Sequence, residues 1–412
     1  MDFPELLAPA GSFACAQSAY DHGADAVYAG LGSFNLRAHS PNFNHQEMCD
    51  LIRYSHKRGK RVYLAVNIMP DNSIMKDLGE ELVRLSDSGI LPDSFIVSDP
   101  GVIRMIQSLI PQARLHLSTQ TGCFNSQSLN FWKEQGINRV VLPRELTLSQ
   151  ISQINSEEIL ETEIFIHGAM CVSISGRCLL GAYLGRRHPN LGDCPQPCRY
   201  KYRITPLEGK DSSGVSFVAE ESENGVYLLN SKDLCTLELL PQIVSSGVSS
   251  LKIEGRNKSA HYVATVVKVY REALDQCKKS KGNYVINPRW TEELESIEHR
   301  QYTTGFYGQE QLCQDLHSSK AKSKYRLVAV VKEIHDSAAI LDIKNSFDIT
   351  EKLNVLPVQQ NLDPYEIFAE TVTDLAGNPL TRANTNRLVR MTVSENRLRR
   401  GDMLRITAGQ GR

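Results

Sequence analysis

The chain has 412 residues, a formal net charge of −1 at pH 7, 41% hydrophobic and 23% charged residues. This is a globular composition, and near-neutrality removes any global pull toward nucleic acid or anionic lipid, so a polyanion would have to meet a local patch. No run of eighteen uninterrupted apolar residues occurs, and Met1-Asp-Phe-Pro-Glu5 does not open a basic-then-apolar leader, so the expectation is a cytoplasmic protein with no membrane partner.

Short apolar, β-branched runs alternate with helical patterns along the first two-thirds of the chain. Strands are predicted over 5–10, 26–30, 61–66, 94–98, 115–118, 139–142, 163–167 and 250–253. Helices are predicted over 12–22, 45–58, 73–88, 100–109, 126–135 and 147–154, with Gly23, Gly59, Gly89 and Gly136 placed to end four of them. A longer helix over 259–278 carries Tyr262, Val263, Val266, Val267, Tyr270 and Leu274 as a broad apolar stripe. Eight continuously apolar strands, each followed by a helix, indicate an α/β fold, a (β/α)8 TIM-like barrel. A doubly wound open sheet shares that periodicity and stands second.

The strand ends carry Gly11, Gly30, Asn67, Gln120, Arg144, His167 and Glu254-Gly-Arg256, which a barrel would gather at its C-terminal mouth. The seventh strand is followed by a long cysteine-rich insertion at 171–235. Within it, 199–229 reads as a polar hairpin excursion and 232–244 as the seventh helix, with Cys235 in the first turns, where amide dipoles favour a thiolate. The predicted boundaries are a barrel over 1–280, a connector over 281–324 and a small all-β barrel over 325–412. In that last module strands are predicted over 325–334, 338–343, 354–357, 367–372, 387–393 and 402–406.

Five of the ten cysteines, Cys171, Cys178, Cys194, Cys198 and Cys235, fall in the insertion. Converging thiolates suit a tetrahedral zinc ion or an iron–sulfur cluster, because soft metals prefer deprotonated sulfur. The intervening gaps are six, fifteen, three and thirty-six residues. They match neither zinc knuckles nor common ferredoxin spacings, so spacing alone leaves the metal open. Zinc-protease, nucleophile-elbow and phosphate-loop motifs are missing from the sequence. His167 reads either as an acid/base or as a satisfied strand-end histidine.

The runs His167-Gly-Ala-Met-Cys171, Gly176-Arg177-Cys178, Cys194-Pro-Gln-Pro-Cys198-Arg199, Asn230-Ser-Lys-Asp-Leu-Cys235 and Leu251-Lys-Ile-Glu-Gly-Arg256 carry a resemblance to the collagenase-like, unassigned peptidase family. Glu5-Leu-Leu-Ala-Pro-Ala-Gly11 and Tyr302-Thr-Thr-Gly-Phe-Tyr307 extend it over nearly the whole chain. Tyr200 stands where the family often has Trp. Despite the name, the resemblance implies oxygen-independent hydroxylation of a tRNA wobble uridine, an rRNA cytidine or a ubiquinone precursor. It implies a [4Fe–4S] cluster on Cys171, Cys178, Cys194 and Cys235, with Cys198 as the spare. The β-module is similar to the tail of the tRNA 5-hydroxyuridine branch, which implies tRNA as partner and prephenate as hydroxyl source. A paralogous subunit is a further expected partner, and collagenase-like peptidase activity is the alternative. A dicarboxylate needs cations at the mouth, and Arg37, Arg144, Arg177 and Arg256, with His167, are the candidate substrate-binding residues. Lys320, Lys322, Lys324, Arg326 and 397–400 are the candidate tRNA-facing charges.

Overall fold

The computed structural model describes residues 3–37, 42–171, 173–174, 177–185, 187–200, 202, 229–280, 282–308, 323–335, 338–393 and 397–408. Seven strands run in order around a parallel sheet: β1 (Glu5–Ala10), β2 (Ala26–Gly30), β3 (Arg61–Val66), β4 (Ser94–Val97), β5 (Leu115–Leu117), β6 (Arg139–Val141) and β7 (Glu161–Ala169). After β8 (Asp233–Cys235), β9 (Ser250–Ile253) pairs in parallel with both β7 and β1, so eight strands close the ring. Both faces of these strands are buried, which is why they read as unbroken apolar runs. The open-sheet alternative is excluded by the register Glu5↔Ser250, Leu6↔Leu251, Leu7↔Lys252.

Helices α1 (Phe13–Asp21), α2 (His45–His56), α3 (Asn72–Asp87), α4 (Pro100–Leu109), α5 (Ser126–Glu134) and α6 (Leu148–Ser156) fill the crossovers. Each starts where a side chain accepts from an otherwise unpaired amide: Ser12, Asn44, Asp71, Asp99, Asn125 and Thr147 are their N-caps. In the cysteine segment, α7 (Leu180–Gly185) is short; α8 (Leu240–Ser245) and α9 (Ala260–Ser280) complete the ring of helices.

One expectation fails here. Residues 232–244 are not a continuous helix: β8 occupies 233–235, and the helix begins only at Leu240, with Pro241 in its first turn. Strand β7 runs past the barrel to Ala169, and its free edge takes β8 in antiparallel register, His167↔Cys235. Tertiary pairing overrides a sequence that is locally fit for helix. Cys235 therefore lies on a strand and not in the first turns of a helix, so no helix dipole of the expected kind acts on its thiol. The hairpin expected over 199–229 falls almost wholly outside the described residues.

The expected connector contains a helix not foreseen, α10 (Pro288–Glu295), and a short strand, β10 (Tyr302–Thr303), which pairs with β8 above the mouth. The C-terminal module is built from β11 (Tyr325–His335), β12 (Ala338–Ile343), β13 (Phe347–Asp348), β14 (Leu353–Leu356), β15 (Tyr365–Ile367), β16 (Thr371–Thr373), β17 (Arg382–Ala383), β18 (Leu388–Thr392) and β19 (Met403–Thr407). Seven of them form one antiparallel sheet in the order β15-β14-β19-β11-β12-β18-β16, which closes only halfway. Its core of Val328, Val331, Leu341, Leu353, Val389 and Leu404 is separate from the barrel core. Ala264 of α9 packs with Leu356 and Met403 to join the two bodies. Buried Arg405 adds a polar bolt, donating to Glu293 (2.6 Å) and Asn354 (2.6 Å) with Tyr325 under its guanidinium.

Candidate functional site

Charged side chains interrupt the apolar barrel interior. Glu5 accepts from Tyr63 Oη (2.9 Å) and pairs with Arg139, which also pairs with Glu161 (2.7 Å). One strand on, Lys252 Nζ donates to Glu163 Oε1 at 2.7 Å and sits 4.5 Å from the centroid of the Tyr28 ring. Both members of the Lys252–Glu163 pair are almost fully buried. Such a pair is expensive to desolvate and more expensive to break than to keep, because a lone buried charge has no compensation.

Lys252 also forms the floor of a chamber of about 130 Å³ at the C-terminal mouth, shared with Arg37, Arg144, Arg256, Glu254 and Cys171. Four cations thus surround Glu254, with Glu163 behind Lys252, which leaves a local excess of positive charge. Arg37 reaches Glu254 at 3.4 Å and keeps a third of its side chain exposed. The Arg144 guanidinium lies over the Phe165 ring at 3.8 Å. Arg256 donates to Asn35 and to Asn42 (3.3 Å). Gly11 and Gly30 make room for it: a Cβ on Gly11 would stand 2.0 Å from the Arg256 carbonyl oxygen, and one on Gly30 would stand 2.7 Å from its Nη1.

The electrostatics follow from this crowding. Burial alone would raise the Glu254 carboxyl, but Arg37, Arg144, Arg256 and Lys252 outweigh it and hold its pKa below the usual carboxylate value. Burial, then the like charge of Arg37, lowers Arg256 to about 10. An anion entering the chamber would relieve that repulsion. Amides complete the wall: Asn67 Nδ2 donates to Gln120 Oε1 (2.9 Å), Ser118 Oγ to the same oxygen (2.8 Å), and Gln120 Nε2 to the Asn67 carbonyl (2.7 Å).

Three of the four arginines singled out from sequence, Arg37, Arg144 and Arg256, therefore line one chamber. Arg177 does not; its guanidinium stands beside Gly122, just past β5, on the rim. His167 is packed behind the chamber among Tyr262, Tyr270 and Tyr302, with Nδ1 3.4 Å from Tyr270 Oη. Burial holds its pKa down at about 3, so it is a neutral ring. Lys252 and Glu163 were missed as site residues. Their signal was present, since a charged side chain stands mid-strand in Ser250-Leu-Lys252-Ile253 and in Glu163-Ile-Phe-Ile166.

The insertion's cysteines divide. Cys171 is exposed and lines the chamber, while Cys178, Cys194 and Cys198 are half-buried, and all are free thiols. The Cys198 thiol is pushed up by burial and, against the opposing pull of Arg199, by the nearby Cys171, Cys194 and Cys178. Cys235 accepts weakly from Tyr270 Oη (3.7 Å) and faces a separate pocket of about 330 Å³ lined by Glu238, Glu295 and Tyr302. A soft thiolate-bound group suits the donor chemistry of this set. Among the described residues no three His, Cys, Asp or Glu side chains are drawn into metal-holding geometry.

Of the candidate tRNA-facing charges, Lys320 and Lys322 lie outside the described residues. Lys324 sits over the Tyr325 ring (5.3 Å), and Arg326 donates to the Ser346 carbonyl (3.3 Å). Arg400 lines a cleft of about 670 Å³ between barrel and β-module, with Lys258, Lys332 and Lys344. Among the described residues no helix is long and apolar enough to cross a membrane.

The profile of peptidase family U32 matches residues 11–316. The chain is 34% identical to the tRNA hydroxylation protein P1 of Bacillus subtilis, covering 92% of this chain and 89% of that one. It is also 34% identical to the tRNA hydroxylation protein P of Escherichia coli, covering 87% of each. Against the Escherichia coli 23S rRNA 5-hydroxycytidine C2501 synthase it is 33% identical, over 68% of this chain and 40% of that one.

Proposed function

This chain belongs to peptidase family U32, and from that premise and the chemistry of its mouth we propose that it is an RNA-hydroxylating enzyme acting on C5 of the wobble uridine of tRNA. The observation that carries the reading is the cationic chamber with Cys171 in its wall, opening beneath a segment rich in free thiols. Likeness along nearly the whole chain to two tRNA hydroxylation proteins supports it. The likeness to the rRNA enzyme covers less than half of that protein, so rRNA stands second as substrate.

Arg37, Arg144 and Arg256 are proposed to take the carboxylates of prephenate, the hydroxyl source, with Lys252 below them. Each guanidinium offers a planar donor pair suited to a carboxylate. Glu254 offsets part of the repulsion among these cations and so holds them together around the chamber when no anion is bound. Phe165 and Ile96 supply apolar wall between the charged groups and limit water at the floor. Asn67 and Gln120 present fixed amide groups, and an amide is suited to a uracil edge. Cys171, Cys178 and Cys194, with Cys198 or Cys235 as the fourth, would hold a [4Fe–4S] cluster. When bound, that group supplies one-electron redox chemistry.

The test is reconstitution. Purified, anaerobically prepared protein is given unmodified tRNA and prephenate, and digested nucleosides are read by mass spectrometry. Formation of 5-hydroxyuridine at the wobble position supports the proposal. Full iron occupancy with no modified nucleoside under these conditions overturns it. Cleavage of gelatin by the same preparation would favour the peptidase alternative, and activity only after adding a paralogous chain would mark this one as a subunit.

A further inference from the structure

The cysteine segment carries a surface that neither the chamber nor the thiols account for. Among the described residues, fourteen large hydrophobic side chains are exposed, and six of them fall within residues 171–200: Ile174, Leu179, Tyr183, Leu184, Leu191 and Tyr200. Tyr183 is the extreme case, at 82% exposure on α7. An exposed apolar concentration of this kind marks a contact surface rather than chance. The same thirty residues hold Arg177, Arg186, Arg187 and Arg199 against Asp193 alone, a local charge of +3 in a chain whose total is −1. Of these, Arg177 and Arg187 are exposed with Tyr183 and Tyr200, and aromatic rings beside arginines suit unpaired bases and their phosphates.

The surface is built, not frayed. Helix α7 packs on the Pro197–Arg199 turn, and a Cβ on Gly181 would come within 3.0 Å of both Pro189 and Pro195. Tyr200 Oη donates to the Pro195 carbonyl (3.0 Å), which fixes its ring. It also belongs at the mouth. Cys171 lines the chamber, Arg177 reaches the rim past β5, and Cys171 and Cys194 both lie in the field of Arg37.

We propose that this lip is a stacking platform for a single-stranded RNA loop: Tyr183 and Tyr200 carry bases flanking the target nucleotide while the target base turns down into the chamber. The platform rests on the RNA-hydroxylation reading. Sequence-tolerant stacking explains how one lip could accept loops that differ on either side of a common uridine. A protein partner is the competing occupant, but a segment of net +3 that exposes Arg177 beside two tyrosines suits a polyanion with π faces better than it suits a second copy of a near-neutral chain.

The experiment uses the full-length, iron-replete protein and a fluorescein-labelled RNA hairpin with uridine in its loop, set against the fully paired duplex of the same stem. Fluorescence anisotropy should show the hairpin bound more tightly than the duplex, with Tyr183→Ala and Tyr200→Ala each weakening hairpin binding roughly tenfold and Tyr183→Phe leaving it unchanged. Iron content and thermal midpoint of each variant serve as the folding check, which Tyr183 should pass because its side chain is almost fully in water. Unchanged hairpin affinity in both alanine variants, while the wild type still hydroxylates tRNA, overturns the platform and leaves the function standing. Failure of the wild type either to bind or to modify RNA overturns the function and the platform with it. A wild-type dimer in sedimentation that Tyr183→Ala converts to monomer reassigns the face to protein and likewise overturns the proposal.

Discussion

Replacing Glu254 by Gln removes one negative charge from among Arg37, Arg144, Arg256 and Lys252 without changing the side chain's shape. Loss of one partner from a buried ion pair costs about 3–5 kcal/mol. The Arg37 side chain is a third exposed, so water screens part of its share, and a destabilisation of about 2–3 kcal/mol is the better figure. At roughly 2 cal/mol/K per residue over a barrel of about 300 residues, that is a fall of about 3–5 °C in thermal midpoint. The pH dependence carries the sharper signature. The folded pKa of Glu254 is depressed, so its contribution is present above the unfolded value of roughly 4.3 and is lost as pH falls through the folded one. Wild type and Glu254→Gln should therefore differ most near neutrality and converge in acid. Differential scanning fluorimetry across pH reads both effects, and added malonate should recover part of the variant's lost midpoint by occupying the same cations. A variant as stable as wild type at neutral pH, or a gap between them that widens in acid, would refute the electrostatic account of the chamber.

Lys252→Met leaves Glu163 with only its 3.5 Å contact to Arg139 and should cost about 3 kcal/mol, whereas Lys252→Met with Glu163→Gln should recover part of that loss; a urea-melt double-mutant cycle measures the coupling. Arg144→Met should raise the prephenate concentration needed for half-maximal rate about tenfold or more while leaving tRNA affinity alone, as steady-state kinetics would show. Serine at Cys171, Cys178 or Cys194 should cut bound iron, by elemental analysis and visible absorbance, toward background. Of Cys198→Ser and Cys235→Ser, one and not both should do the same, since a cubane takes four thiolates.

The barrel was readable because its strands are buried on both faces, so that β1, β2, β3 and β9 were expected at the limits they occupy. Helix ends were legible through their glycines, and Gly23, Gly59, Gly89 and Gly136 do adopt the positive φ that ends a helix. The misreading of 232–244 has a physical cause, because the pairing that makes β8 comes from the overhang of β7, which no local pattern announces. The predicted strand over 367–372 is in fact the end of β15 and the start of β16, which sit at opposite edges of the sheet; a chain that turns a corner keeps the same β-favouring residues on both sides of the bend. At the site, arginines at strand ends were foreseeable from the rule that barrel mouths gather them. Lys252 and Glu163 carried a signal as mid-strand charges, but their pairing with each other is seen only across the closed barrel. The placing of Cys235 opposite His167, facing a pocket of its own, likewise depends on which edge β8 takes, not on spacing along the chain.

The most direct test of the central claim is the nucleoside content of tRNA from cells lacking this gene and its paralogues, complemented in turn by wild type, Cys171→Ser and Arg144→Met. Loss of 5-hydroxyuridine derivatives on deletion, restored by wild type and by neither variant, is the result expected if thiols and cationic chamber form one site. Undiminished 5-hydroxyuridine in the deletion, or full restoration by Cys171→Ser, would contradict it.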